Sequence, residues 1–355
     1  MKYTKLLIQN FRGIQNLEIK DFKQVNLLVG RNNCSKTSVL EALFLISGIG
    51  NPQLPINIHF FRDLSLAKAE DFDGLFYNLD FNRLPQIQAI VQEANEKERT
   101  LTIAPLYAKY AKIVSSSDQL KKEDLSQFSE QTLNITTSIS QDLEGIRLEF
   151  NDDQQVGHAE AHLKGGQLQF VFPVNYKEYI RCAFLSTKTA MSQLDQRLSQ
   201  LLVQKNLAPI ILVLKEIEPA LSDIRMGANG MIYVDIGLDK LLPLNLMGDG
   251  TRRLLAILSA IFDMKNGILL IDEIENGFHY SSLTTLWKAV VRAAQEFNVQ
   301  IFATTHSYEC IEAFAKSEYP EICLYRIDRT ANKHQAFAST AKMLRVGIEN
   351  DFEVR

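Results

Sequence analysis

The sequence is short of several things, and each shortage removes a class of protein. Cysteine occurs only at Cys34, Cys182, Cys310 and Cys323 in 355 residues, and the closest pair is 13 positions apart. No Cys-x-x-Cys is present, which excludes a zinc ribbon, a zinc hook and a dithiol redox motif and fits a reducing compartment. Long apolar runs are absent as well. The longest, Ala208 to Leu214, is far below the roughly 20 residues of a membrane-spanning helix. Met1-Lys2-Tyr3-Thr4-Lys5 leads into an alternating stretch and not into an apolar secretory core, so a cytoplasmic protein with no membrane partner is expected. There is no positive excess: 38 Lys and Arg against 42 Asp and Glu give a net charge of −4. The mean charge lends no support to a wide nucleic-acid footprint, though a local basic patch stays compatible with it. Repeats and low-complexity tracts are missing.

What remains is an ordinary globular composition, 46% hydrophobic and 23% charged, long enough for two domains or one domain with an insertion. Two short strands open the chain, around Leu6 to Phe11 and Ile14 to Ile19. Val25 to Val29 then reads as a strand buried on both faces. Gly30 to Lys36 is a tight polar loop, and Thr37 to Ser47 a helix. The middle is less regular: Phe60 to Asn95 reads as mostly helical, Leu101 to Ile103 as a strand. The pattern turns strand-like from Leu133, with strands at Leu143 to Phe150 and Gln167 to Val174. Gln193 to Leu221 has helical spacing, and Met226 to Ile236 forms a hairpin on Gly227-Ala228-Asn229-Gly230. The last third alternates helices with apolar strands. Helices are expected at Thr251 to Phe262, Ser281 to Phe297 and from Tyr308, with strands at Ile268 to Ile271 and Val299 to Ala303. A strand at Ile322 to Arg326 and a helix around Met343 follow. This order predicts an α/β fold with a largely parallel sheet covered on both faces.

Four motifs carry chemistry. Gly30-Arg31-Asn32-Asn33-Cys34-Ser35-Lys36-Thr37 sits between a buried strand and a helix, the context of a phosphate-cradling loop. Its N–H groups and the helix N-terminus would face a β-phosphate, Lys36 would reach the β- and γ-phosphates, and the Thr37 hydroxyl would ligate Mg²⁺. Ser35 departs from the usual second glycine, so its side chain must turn away from the phosphates or bond to one. Ile268 to Ile271 ends in Asp272-Glu273. Asp272 would hold Mg²⁺ and Glu273 would orient or deprotonate water, although paired acids at a strand end are also common as solvated groups. Val299 to Ser307 places His306 at another strand end, where an imidazole can address the γ-phosphate or attacking water. Leu246-Met247-Gly248-Asp249-Gly250-Thr251-Arg252-Arg253 is a glycine-rich turn into a helix. It reads as a second phosphate-binding N-terminus or simply a loop with a Thr251 cap.

In chain order, Gly30 to Thr37, Leu246 to Thr251, Asp272-Glu273 and His306 match Walker A, signature, Walker B and switch histidine, and the chain resembles the ABC-type P-loop ATPases. Asn10-Phe11-Arg12-Gly13 and the Asn32-Asn33 pair are similar to the SMC/RecF-like branch. Gly248 to Arg253 and Asp272-Glu273-Ile274-Glu275-Asn276-Gly277-Phe278-His279 resemble the OLD-type group of AAA-named ATPases. The resemblance covers residues 1–50 and 240–330. It implies an ATPase core at 1–50 and 240–355 and an α+β insertion at 51–239, between Walker A and the signature. It also implies ATP and Mg²⁺ as cofactors and a homodimer that sandwiches ATP. Gly30, Asn32, Asn33, Cys34, Ser35, Lys36, Thr37, Ser38 and Arg12 would bind nucleotide, while Gly248, Asp249, Gly250 and Thr251 would complete the partner's site in trans. Thr37 and Asp272 would hold the metal, and Glu273 and His306 would be catalytic. Glu275 and His279 fall where the family's dimer seam runs, or in a plain loop before a helix. Gly248 replaces the serine of a transporter-like signature, which the remaining N–H groups tolerate.

Other conspicuous residues read as structure. His158, Glu160 and His162 alternate with Ala159, Ala161 and Leu163, which suggests a solvated strand face ahead of a metal site. Trp287 with Leu283, Leu286 and Val290 is a core stripe, and Lys121-Lys122-Glu123-Asp124 a solvated run. Only 49 residues follow His306. That leaves no room for the Toprim nuclease of OLD-type enzymes and implies a stand-alone ATPase of an anti-phage defence system with a separate Toprim-like effector. The alternatives are a RecF-like DNA-repair ATPase, with direct nucleic-acid contact, and a nucleotide-gated scaffold with little turnover.

Overall fold

The computed structural model describes every residue except 94, 114–136, 154, 187–188, 192–193, 206, 217, 228–229, 318, 331–332 and 351–355. The run Lys121 to Asp124, the start at Leu133, and Ala228 and Asn229 lie outside the described residues. In chain order the first elements are β1 (Lys2–Phe11), β2 (Ile14–Lys20), β3 (Val25–Val29), α1 (Lys36–Ser47) and α2 (Leu54–Phe60). Then come β4 (Gln86–Gln92), β5 (Glu96–Ile113), β6 (Thr137–Asp152), β7 (Gln155–Lys164), β8 (Gln167–Val171) and β9 (Cys182–Leu185). Next are α3 (Leu194–Val203), α4 (Ala208–Leu214), β10 (Asp223–Met226), β11 (Ile232–Asp235), β12 (Leu242–Pro243) and α5 (Asp249–Asp263). The chain continues through β13 (Ile268–Ile271), α6 (Leu283–Glu296), β14 (Gln300–Thr304), α7 (Tyr308–Ala315), β15 (Ile322–Thr330), β16 (Lys333–Thr340) and α8 (Ala341–Glu349).

The central sheet has the order β16-β15-β3-β14-β13-β9 and is parallel except for β16, which returns antiparallel on β15. Its strands alternate between two cores. Val25, Leu27, Val29, Leu269, Ile271, Ile301 and Ala303 pack with α5, α6 and α7, while Leu28, Leu270, Phe302 and Tyr325 face α1. A strand covered on both faces has no need of polar alternation, which is why these runs are continuously apolar. On the far side of α1 lies a second, seven-stranded antiparallel sheet, β2-β1-β4-β5-β6-β7-β8. Enclosed between the sheets, α1 buries every residue except Thr37, which accounts for its weak amphipathic pattern.

Two expectations need correction. Phe60 to Asn95 is not mostly helical: beyond α2 it holds short 3₁₀ turns at Ala69–Leu75 and Tyr77–Leu79, then β4. Ile87, Ala89 and Val91 are buried in period two and pair with β1, so the alternation outweighed the helical reading. Within residues 51–239, β4 to β8 extend the β1–β2 sheet and β9 joins the central one. Helix α5 begins at Asp249, two residues before Thr251, with Gly248 at the N-cap and no side-chain cap. The β7 reading holds, with Ala159, Ala161 and Leu163 buried while Glu160 pairs with Arg147 and His162. Trp287 is buried and its indole N–H donates to the Cys310 carbonyl.

Candidate functional site

Register brings the motifs together. Ile271 pairs with Ala303, and Ala303 with Leu27, so β13, β14 and β3 end side by side on one sheet edge. Asp272-Glu273, Thr305-His306 and Gly30 therefore leave the sheet at the same place. Ligands of open parallel sheets bind at this carboxyl edge. A cleft of about 860 Å³ opens there, lined by Arg12, Asn32 to Ser38, Arg62, Glu273, His306 and Arg329 among others.

The loop keeps the required turns with few glycines. Gly30 has φ +140°, and a Cβ there would lie 2.3 Å from the Ile327 carbonyl oxygen, so only glycine fits. Asn33 and Ser35 both adopt the left-handed region, at φ 62° and 72°. Ser35 turns its hydroxyl to within 3.3 Å of His334 Nε2 and so away from the mouth of the helix. Lys36 donates to the carbonyls of Gly30 (2.8 Å) and Arg31 (3.2 Å) and lies 3.5 Å from His306 Nδ1. Burial lowers its pKa, while Cys34, Asp272 and Glu275 favour the ammonium.

Behind the loop the hydroxyls and acids interlock. Thr37 donates to Asp272 (3.1 Å), Thr304 donates to the same carboxylate (2.7 Å), and the Glu273 N–H donates to Thr304 Oγ1 (2.8 Å). A hydroxyl and a carboxylate this close are hard oxygen donors able to share one small divalent cation. Among the described residues no cluster of three or more His, Cys, Asp or Glu forms a cage. That donor set suits Mg²⁺, which keeps waters and substrate phosphates in its shell and needs few protein ligands. Glu273 is itself left-handed, at φ 48°, and Asn276 holds one of its carboxylate oxygens at 2.7 Å.

Sequence reasoning missed the supports around this set. Glu41, fully buried on α1, takes Arg12 at 2.7 Å and Arg62 at 2.6 Å. Arg62 also reaches Ser38 Oγ at 3.3 Å. Burial opposes the Arg62 charge, but Glu41 outweighs it and the pKa is raised; for Arg12, burial prevails and the pKa is lowered. Glu275 accepts from the His306 backbone N–H at 2.7 Å, which fixes the switch loop. Arg12 and Ser38 were expected as nucleotide ligands and Glu275 as a seam residue, whereas Glu41 and Arg62 had drawn no notice. Contacts such as Arg62 to Glu41 leave no local pattern to find.

The glycine-rich turn stands apart. Gly248 to Thr251 do not line the cleft; they pack beside the loop after Glu273, where a Cβ on Gly250 would lie 3.1 Å from the Gly277 carbonyl oxygen. Gly248 and Asp249 are exposed, but Thr251 is buried at 7% exposure and has little to offer a second molecule. His279 accepts from the Ser281 N–H, and its ring lies tilted against Tyr280.

A family model described as "AAA domain, putative AbiEii toxin, Type IV TA system" matches residues 25–312. Over 336 residues the chain is 24% identical to an "ATP/GTP phosphatase" of Helicobacter pylori, spanning 86% of this chain and 85% of that protein. A stretch of 72 residues is 36% identical to DNA replication and repair protein RecF of Actinobacillus pleuropneumoniae, 20% of this chain and 19% of that protein. An SMC head solved in complex with the C-winged-helix domain of ScpA shares the fold, with a TM-score of 0.52 at 9% identity over 96% of this chain and 99% of that one. The mixed, largely parallel α/β architecture expected for an ABC-type P-loop NTPase is the one observed.

Proposed function

The chain belongs to this AAA-domain family, and on that premise we propose that it binds ATP with Mg²⁺ in the cleft and hydrolyses it. The carrying observation is the convergence of Lys36, Thr37, Asp272, Glu273 and His306 on one edge of the sheet. Loop N–H groups and the α1 N-terminus receive the β-phosphate. Lys36 exchanges its two carbonyl partners for β- and γ-phosphate oxygens. Thr37 and Asp272 would hold Mg²⁺, which would neutralise negative charge on the nucleotide's phosphates when bound. Glu273, steadied by Asn276, accepts a proton from the attacking water. His306, held through its backbone by Glu275, hydrogen-bonds the γ-phosphate or that water.

Two copies close over the nucleotide, and Gly248, Asp249 and Gly250 of one complete the site of the other. The exposure of Gly248 and Asp249, and the absence of all three from the cleft lining of their own chain, support this reading. The motif wording at Gly248 to Arg253 and Asp272 to His279 favours the sensor ATPase of an anti-phage system with a separate Toprim-like effector. The match to RecF favours a second reading, a DNA-repair ATPase that contacts DNA directly.

ATP turnover and solution mass of wild type, Lys36→Ala and Glu273→Gln, with and without duplex DNA, test these readings. Both variants should lose turnover, and Glu273→Gln should accumulate ATP-bound dimers. Turnover that survives in both variants refutes the site. Binding without turnover in the wild type leaves a nucleotide-gated scaffold, and stimulation by DNA selects the repair reading.

A further inference from the structure

Ser35 occupies a place where the usual loop has glycine, and it pays a conformational penalty there. Its φ of 72° and ψ of 25° are left-handed, a conformation that crowds the Cβ of a non-glycine residue against the following carbonyl oxygen. Asn33, at φ 62°, is the other left-handed residue of the loop. Such conformations persist where the surroundings over-determine them. Both of these residues touch the same neighbour, the β15–β16 hairpin. Arg329 and His334 stand directly opposite each other in its ladder. Arg329 Nη1 donates to the Asn33 carbonyl at 3.3 Å, and His334 Nε2 lies 3.3 Å from Ser35 Oγ.

The rest of the environment fits a built contact. Ser35 is the N-cap of α1 yet makes no side-chain cap, so its hydroxyl is committed elsewhere. A Cβ on Gly13 would lie 3.2 Å from that hydroxyl and 3.9 Å from Arg329 Nη1, so the bare β1–β2 turn leaves space for both. His334 is only 6% exposed, and its Nδ1 has no partner, which leaves the bond to Ser35 to set the ring. Burial and the adjacent Arg329 hold its pKa below the ordinary histidine range and keep it neutral. At the other end of the loop, the Ile327 carbonyl on β15 abuts Gly30. One hairpin thus brackets the loop at both ends.

We propose that Arg329 and His334 are positioning residues, a cross-strand clamp that holds Asn33 and Ser35 left-handed and makes serine workable in place of glycine. The clamp's effect on nucleotide rests on the ATP reading above; its effect on the loop does not.

A double-mutant cycle of Ser35→Gly and His334→Ala tests the clamp by two readouts. In chemical denaturation without nucleotide, His334→Ala should lower the folded-to-unfolded ratio roughly fivefold more in the wild-type background than in the Ser35→Gly background. In steady-state hydrolysis of Mg·ATP, His334→Ala should raise KM roughly fivefold with kcat within about twofold, and Ser35→Gly should remove that penalty. His334→Gln, whose amide can still bond the hydroxyl, should restore most of the KM. The exposed Arg329→Ala, which does not threaten the core, should raise KM about twofold. Equal losses in both backgrounds, or a fall in kcat at unchanged KM, overturn the clamp. If the wild type neither binds nor hydrolyses ATP, the ATP reading fails, and the denaturation cycle alone still decides the clamp.

Discussion

Glu41 offers the sharpest energetic test. Its carboxylate is fully buried and receives Arg12 at 2.7 Å and Arg62 at 2.6 Å, with the two guanidinium groups 8% and 36% exposed. In Glu41→Ala, Arg12 stays buried with only the carbonyls of Gly74 (3.2 Å) and Ile58 (3.4 Å) as acceptors. Removing one partner of a buried pair costs about 3–5 kcal/mol. Arg62, a third exposed, is largely rescued by water and adds under about 1 kcal/mol. A loss of about 4 kcal/mol, against an unfolding entropy of roughly 0.7 kcal/mol per degree for a chain this long, lowers Tm by about 5–6 °C. Glu41→Gln keeps the shape but turns an amide donor toward a guanidinium, and should lose about half as much. Scanning calorimetry of Glu41→Ala, Arg12→Ala and the double variant completes the case. The double should be less destabilised than the sum by about 2 kcal/mol or more, since removing both groups leaves no orphaned charge. A Tm within about 1 °C of wild type for Glu41→Ala, or strict additivity, refutes the reasoning.

Two further outcomes follow from the geometry. Gly30→Ala places a methyl 2.3 Å from the Ile327 carbonyl at φ +140°, so titration with a fluorescent ATP analogue should show binding weakened at least about tenfold; unchanged affinity would mean the loop does not need this turn. His59 and His334 are both held below the ordinary histidine pKa of 6.5, chiefly by burial, so the native state binds fewer protons than the unfolded chain. Their stabilisation is present above pH 6.5 and is lost as pH falls below it towards the folded values, at up to about 1.4 kcal/mol per pH unit for each group. The fall in Tm between pH 7 and 5 should flatten in the His59→Asn, His334→Gln double variant, and an unaltered slope counts against the assignment.

Legibility in the sequence followed the range of the interactions. Val25 to Val29, the loop after it and Asp272-Glu273 could be read locally, because a buried strand and its turn imprint their needs on consecutive residues. β9 is apolar throughout but only four residues long, too short to declare a strand, and β16, Lys333 to Thr340, is an edge strand with only His334 well buried and so carries no apolar pattern. β4 was hidden by its short period-two run beside helical-looking neighbours. The supports of the site were invisible for another reason. Ser35 and His334 are 299 positions apart, and nothing in either neighbourhood names the other. The structure also explains the Ser35 departure, which the loop pattern alone could only flag.

The strand order also bears on how the molecule is made. β3, which launches the phosphate loop, lies between β14 and β15, and Val25 pairs with Ile301 and Ile322. Those partners leave the ribosome nearly 300 residues later, roughly 15–60 s at ordinary elongation rates. During that interval α1 can dock only on the antiparallel sheet, whose strands arrive early, and its other face stays exposed. The nascent chain is therefore an amphiphile until β14 and β15 emerge, and competence to hold nucleotide waits for them. Ribosome-bound intermediates halted before Ile301 should recruit chaperones and fail to retain nucleotide, however intact their phosphate loop.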